Sequence, residues 1–284
     1  MKTAHATVTE TQRLYADTYV TWFRCPEIGN GAYPGQFLML RCDDPAAYED
    51  LITNHQSPIT SNDPLLPRPM SYYRIRQTTT GPEWAILYDV VGRGTAWLAS
   101  RKPGDRVYAW GPLGRGYEIG HTSRNLLLIA GGVGVAPLVW LADDAVARGL
   151  NVTMIVGARS ADLIFPSHLL PPEVEVVVTT DDGSAGRKGF VTEPFAELLD
   201  WSDQAFACGP NVMMQAMTAV VGASKTRRTL QVLLEERMGC GTGICYGCAV
   251  PIKSRRRGSP TETGHQSMKL VCKDGPRFES REVW

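Results

Sequence analysis

The sequence has no apolar run near the roughly 20 residues that a membrane helix requires, so a membrane-spanning helix is excluded. Its opening, MKTAHATVTETQRL, has neither the apolar core of a secretory signal nor the Arg-rich amphipathic pattern of an organellar one. It reads as ordinary folded chain, and the expected location is the cytoplasm. Net charge is also missing: 29 Lys and Arg balance 29 Asp and Glu, and nothing in that balance calls for nucleic acid or an anionic membrane surface. There is no internal repeat and no low-complexity tract. Cysteine is sparse and uneven, with seven in all. Cys25, Cys42 and Cys208 stand singly, whereas Cys240, Cys245, Cys248 and Cys272 crowd into the last sixth of the chain. An odd, clustered set argues against a secreted disulfide framework and for metal ligation in a reducing compartment.

What is present is a chain of 284 residues, 43% hydrophobic and 20% charged, long enough for about two domains and a small appendage. Up to about residue 120, six β-rich runs (ATVTETQRL, TYVTWFRC, GQFLMLRC, SYYRIRQTTT, EWAILYDVV and RVYAW) alternate with Gly, Pro and Asp punctuation, which predicts an antiparallel barrel. The stretch DPAAYEDLITNHQSPITSNDPLLP reads as an insertion loop with one short helix. From about residue 124 the texture changes. RNLLLIAGGVGVAPLVWLADDAVARGLNVTMIVGARS reads as strand, glycine turn, helix, glycine stop and strand, a βαβ unit, and further strands and helices follow to about residue 223. The expected division is a barrel over 1–121, a Rossmann-like α/β domain over 122–225 and a small cysteine-bearing domain over 226–284. From Lys225 onward, twelve Lys or Arg stand against six Asp or Glu, leaving that segment at +6 and the rest at −6. That excess suits a negatively charged cofactor or acidic partner surface and a solvated loop equally, whereas Arg255, Arg256 and Arg257 read as a solvated loop ahead of a partner contact.

The spacing C-x4-C-x2-C-x23-C of Cys240, Cys245, Cys248 and Cys272 is that of plant-type ferredoxins, in which four thiolates hold a [2Fe-2S] cluster. Gly239, Gly241, Gly243 and Gly247 suit a loop wrapped closely around an inorganic core. A structural zinc site is the alternative, although only one C-x2-C pair is present, and disulfides are a further one. Elsewhere the signals are weaker singly. Arg68, in LPRPMSYYRI, offers a guanidinium fork for a pyrophosphate, and Ser71 a hydroxyl for a ring nitrogen; both also fit an unremarked surface strand. Gly92, Arg93, Gly94 and Thr95, in VVGRGT, form either a phosphate-binding turn or a plain turn with Thr95 as N-cap. Gly131, Gly132 and Gly134 follow an apolar strand and open a helix with Pro137 in its first turn, where a dinucleotide pyrophosphate meets helix amides, though the spacing is G-G-x-G rather than G-x-G-x-x-G. Asp181 to Ser184 and Cys208 to Pro210 fall at two further strand ends, and Cys208 alone also fits a small buried hydrophobe.

In order along the chain, RPMS, VVGRGT, GPLGRG, AGGVGVAPL, TTDDGS, ACGP, EERMGCGTGICYGC and CKDGP resemble the ferredoxin-NADP reductase superfamily, and within it the electron-transfer subunits of class 1B dihydroorotate dehydrogenases. The match spans essentially residues 66 to 276, and its last two motifs are the most specific. The resemblance implies FAD held by Arg68, Pro69, Met70 and Ser71, with Val91, Gly92, Gly94 and Thr95 at its phosphates. It implies NAD(H) as substrate at Gly132, Gly134 and Pro137, with Asp181, Gly183, Cys208 and Gly209 lining the rest of that site and Cys208 near the nicotinamide. The four clustered cysteines would ligate the [2Fe-2S] centre. It further implies an FMN-containing catalytic subunit as partner, in a heterotetramer serving pyrimidine biosynthesis, with electrons passing from dihydroorotate to NAD. Met70 departs from the superfamily, which has a tyrosine there, and Tyr72, Tyr73 or Trp284 are the candidate replacement rings. Alternatives are a subunit of an NADPH-linked ferredoxin or sulfide reductase, for which Arg159 would suit a 2′-phosphate, a stand-alone reductase of a small carrier, and a non-enzymatic redox sensor.

Overall fold

The computed structural model describes residues 1–42, 66–226, 228–253 and 267–284. The expected insertion loop and Arg255, Arg256 and Arg257 lie outside these residues. The six alternating runs all form strands: β1 (Lys2–Tyr15), β2 (Thr18–Arg24), β3 (Phe37–Leu40), β4 (Arg68–Thr78), β5 (Gly81–Asp89) and β6 (Arg106–Leu113). They close into an antiparallel barrel in the order β1-β2-β5-β4-β3-β6. Period-two alternation sends one face of β6 inward, with Val107, Ala109, Gly111 and Leu113 buried between half-exposed neighbours, whereas β3 is buried on both faces. Phe23 and Trp84 stack at 4.5 Å between ring centroids in this core, and each contributes about 2–3 kcal/mol by burial. Helix α1 (Arg93–Ala99) follows β5.

The second layer system is a parallel sheet. It is built from β7 (Asn125–Gly131), β8 (Asn151–Ala158), β9 (Glu175–Thr180), β10 (Arg187–Lys188), β11 (Gln204–Cys208) and β12 (Thr229–Leu233), with α2 (Val135–Ala147), α3 (Thr192–Leu198) and α4 (Asn211–Ala223) between strands. The spatial order is β10-β9-β8-β7-β11-β12, followed by a last antiparallel strand. The order reverses between β7 and β11, and in such sheets the crevice beyond the carboxyl ends at that point is where ligands bind.

Beyond β12, the chain forms the hairpin β13 (Ala249–Ile252) and β14 (Ser267–Leu270), a single helical turn over Val271–Asp274, and β15 (Arg277–Glu279), which is that last strand of the large sheet. Thus β12 and β15, both beyond the boundary expected at residue 225, complete the nucleotide-type sheet. The three parts are also stitched by side chains. Arg74 of β4 forms a bidentate pair with Asp143 of α2, at 2.6 and 2.9 Å, and donates to the Leu169 carbonyl at 2.7 Å. Tyr117 donates to the Ala207 carbonyl at 3.1 Å, and Arg277 pairs with Glu118. Among the described residues no helix is long and apolar enough to cross a membrane.

Candidate cofactor cavities and cysteine cluster

A cavity of about 690 Å³ lies between the barrel and the parallel sheet. Its barrel wall is the run Arg68, Pro69, Met70 and Ser71, where β4 begins, together with Leu87, Tyr88, Asp89, Val91 and Thr95. Arg68 donates to the Leu66 carbonyl at 2.5 Å and lies over Gly94, where a Cβ would stand 2.7 Å from its Nε. Glycine at 94 therefore clears space for the guanidinium. The Thr95 hydroxyl accepts from the amides of Val91 and Gly92 at 2.9 and 3.2 Å and closes the turn from inside; Gly92, not Thr95, is the N-cap of α1. Gly92 and Gly94 themselves lie off the cavity lining. The far wall is Cys208, Leu233, Leu234, Glu235, Glu236, Arg237, Met238 and Pro276. A space of this size with the Arg68 guanidinium at the barrel wall and mostly apolar walls fits a flavin dinucleotide: the cation suits the pyrophosphate and the apolar faces suit the ring system.

None of the three candidate stacking rings reaches this cavity. Tyr72 is fully buried in the barrel core, with its hydroxyl donating to the Ile28 carbonyl at 2.9 Å. Tyr73 points to the opposite face, packs edge-on against Phe165 and carries the Arg74 guanidinium at 5.2 Å. Trp284 packs beside the core that holds Cys248 and Cys272. The aromatic rings that do line the cavity are Phe37 and Tyr88.

A second cavity, of about 650 Å³, opens at the carboxyl ends of β7, β8, β9 and β11. Gly131, Gly132, Gly134, Gly157, Arg159, Asp181 and Gly209 line it. A Cβ at Gly134 would sit 2.3 Å from the Cys208 carbonyl, so only glycine lets the β7–α2 turn close on the end of β11. A glycine-walled crevice at the point where strand order reverses, with Arg159 at its edge, fits a dinucleotide. Of the other expected residues, Pro137 and Cys208 line the first cavity rather than this one, and Gly183 lines neither.

The two cavities share Asp89, Val133 and Glu235. Cys208 Sγ donates to Glu235 Oε1 at 3.7 Å, and Thr18 donates to Asp89 Oδ1 at 2.6 Å. Burial pushes the Glu235 carboxyl above its ordinary value, a push that the Cys208 thiol offsets in part and the Asp89 charge reinforces. Burial, followed by the Glu235 charge, likewise raises the Cys208 thiol. The junction thus favours the protonated forms of Cys208, which is buried, and of Glu235, which faces both cavities. Glu235 escaped the sequence reading because it lies just beyond β12; only folding brings it to Cys208.

Of the four C-terminal cysteines, Cys248 and Cys272 are buried, Cys240 is half-buried and Cys245 is exposed. The Thr242 amide donates to Cys240 Sγ at 3.4 Å and the Cys272 amide to Cys248 Sγ at 3.4 Å. Desolvation raises the Cys240 thiol but is outweighed by the Thr242 and Cys245 amides, and its net shift is downward. Burial, followed by the neighbouring Cys248 thiol, raises Cys272. Among the described residues no three His, Cys, Asp or Glu groups converge on one ion. Four cysteines at this spacing, with backbone amides donating to two of their sulfurs, fit a binuclear iron cluster.

Residues 128–219 match the family model for an oxidoreductase NAD-binding domain, and residues 235–284 the model for the iron-sulfur cluster binding domain of dihydroorotate dehydrogenase B. The electron transfer subunit of dihydroorotate dehydrogenase B (NAD(+)) from Desulforamulus reducens is 37% identical over 94% of this chain and 92% of its own length. The subunit of the same name from Caldanaerobacter subterraneus subsp. tengcongensis is 34% identical over 98% and 97%. The chain belongs to this family. A solved NADH-dependent reduced ferredoxin-NADP oxidoreductase, described for flavin-based electron bifurcation, superposes on it with a TM-score of 0.77 at 28% identity, covering 99% of this chain and 90% of its own. Phthalate dioxygenase reductase, at 16% identity and a TM-score of 0.60, shares the fold. Membership makes the chain an NAD-linked flavin- and iron-sulfur-dependent oxidoreductase subunit with FAD, a [2Fe-2S] cluster and NAD(H) as its cofactor set.

Proposed function

We propose that this chain carries electrons between NAD(H) and the FMN of a catalytic dihydroorotate dehydrogenase subunit, in a cytoplasmic heterotetramer. The carrying observation is the shared corner of the two cavities: a nicotinamide entering beside Gly132 and Gly209 would meet a flavin ring lying between Met70 and Leu233 at Cys208 and Glu235. Flavin supplies the exchange between a two-electron hydride and single electrons. The chain's own residues do the rest. Arg68, Pro69, Met70 and Ser71 hold the flavin, with Val91 and Thr95 beside them; Gly132, Gly134, Asp181 and Gly209 seat the nucleotide; Glu235 and Cys208 manage the proton balance at the junction. Cys240, Cys245, Cys248 and Cys272 hold the cluster, and Met238, two residues before Cys240, lines the flavin cavity. Residues 1–121 thus serve FAD, 122–225 the nucleotide and 226–284 the cluster, with β12 and β15 tying the last two together.

The partner reading rests on what flanks Cys245. Ile244 and Tyr246 are 81% and 70% exposed, and Tyr246 holds a left-handed φ of +60°. Exposed apolar side chains at the most accessible cluster ligand suit a docked protein surface. Coexpression with the catalytic dihydroorotate dehydrogenase subunit of the same genome tests this: a complex of two chains of each, turning dihydroorotate and NAD+ into orotate and NADH, is expected. Failure to associate, with NADH-driven reduction of a small ferredoxin instead, would move the chain to the second reading, an NADPH- or ferredoxin-linked reductase, which the similarity to the bifurcating oxidoreductase favours.

A further inference from the structure

The segment that carries the first cysteine is seated on the barrel. Trp110, on β6, donates its indole N–H to the Cys240 carbonyl at 3.1 Å. One residue on, Gly241 takes a φ of +69°, and a Cβ there would stand 2.6 Å from Met39 Cγ and 3.0 Å from Leu113 Cδ1. Met39 and Trp110 are register partners across β3 and β6, so hydrogen bond and close approach come from one patch of barrel wall. With its carbonyl drawn to Trp110, the turn leaves the Thr242 amide free to donate to Cys240 Sγ at 3.4 Å. Two residues before Cys240, Met238 lines the flavin cavity.

From this arrangement we propose that Trp110 is a positioning residue for the iron-sulfur centre, fixing the Cys240 turn to the flavin-binding barrel and holding the amide donor on its sulfur. The inference rests on the reading of Cys240 as a cluster ligand. Cluster turn and flavin cavity are both seated on the barrel, the turn against Met39 and Trp110 of β3 and β6 and the cavity along Phe37 of β3 and the start of β4. The cluster potential depends on a side chain that never touches iron or sulfur, because donors to ligand sulfur stabilise the more negative reduced state and outer-shell groups hold those donors in place.

The test is Trp110→Phe, which keeps an aromatic ring and removes the donor. With iron and sulfide per flavin as in the wild type, the variant is expected to show a more negative cluster midpoint potential and altered g-values of the reduced centre. Flavin-to-cluster electron transfer, read in stopped flow against the preceding flavin-reduction phase, is expected to slow about tenfold, at the low end of outer-shell losses. Should the phenylalanine variant lose its cluster, a benzothienylalanine at position 110, in which sulfur replaces the N–H on the same ring outline, gives the same readouts. An unchanged potential and spectrum in a cluster-loaded variant overturns the inference and leaves Trp110 as packing. Absence of any cluster signal from the wild-type protein would instead overturn the cluster reading beneath it.

Discussion

Cys208 and Glu235 meet at 3.7 Å, sulfur to carboxylate, where the flavin cavity opens into the nucleotide cavity. They come from the ends of adjacent parallel strands, Cys208 closing β11 and Glu235 lying two residues beyond β12. A carboxyl that lines both cavities, with its pKa raised, is suited to exchanging a proton as the flavin changes redox state, and such groups typically contribute about 10²-fold or more. Glu235→Gln is therefore expected to slow flavin reduction by NADH about 10²-fold with flavin content retained. Stopped-flow absorbance reads this directly, and a wild-type rate would remove Glu235 from the chemistry.

The same residue fixes a pH dependence. Its folded pKa lies above the ordinary 4.5, so the folded chain binds this proton more tightly than the unfolded one. The stability it contributes is intact below 4.5 and is lost as pH climbs through the raised value. Glutamine carries no such proton. The melting temperature of Glu235→Gln minus that of the wild type should thus rise with pH across that window and then level off; a flat difference would contradict the raised carboxyl.

Arg68 is the cation at the barrel end of the flavin cavity. A charge-assisted hydrogen bond contributes about 1.5–3 kcal/mol, so Arg68→Ala should weaken FAD binding about 10- to 100-fold. Gly94→Ala should act in the same direction by crowding the guanidinium, since the new methyl group would lie 2.7 Å from Nε. Flavin retained after gel filtration measures both.

Serine at any of Cys240, Cys245, Cys248 or Cys272 should abolish the visible cluster bands, with labile sulfide falling in step. Serine at Cys25 or Cys42, both buried in the barrel core, should leave them in place. Retention of the full cluster in two or more of the first set would move its ligands elsewhere.

The barrel was legible because its six runs are β-rich and are cut by turn residues, and the cysteine quartet because a loop around two irons needs a particular spacing. Other features depend on long-range placement. TLQVL follows a helix and a short loop and has no local mark that assigns it to the parallel sheet; its place beside β11 is set by burial of Leu230 and Val232. Tyr72 and Tyr73 are adjacent aromatic residues in the expected strand, but each finds a core, one inside the barrel and one against Phe165, and neither is left for the flavin. Cys208 and Pro137 sit on motifs that read as nucleotide-binding, yet their side chains face the flavin cavity, because the β7–α2 turn and the end of β11 form the wall between the two sites.

The most direct test of the whole account is an anaerobic NADH titration of the purified chain, followed by visible absorption and low-temperature electron paramagnetic resonance. Flavin and iron-sulfur bands are expected to bleach together with NADH, with a reduced [2Fe-2S] signal close to one spin per flavin. A flavin that bleaches without any cluster signal, with one zinc bound per chain, would contradict it.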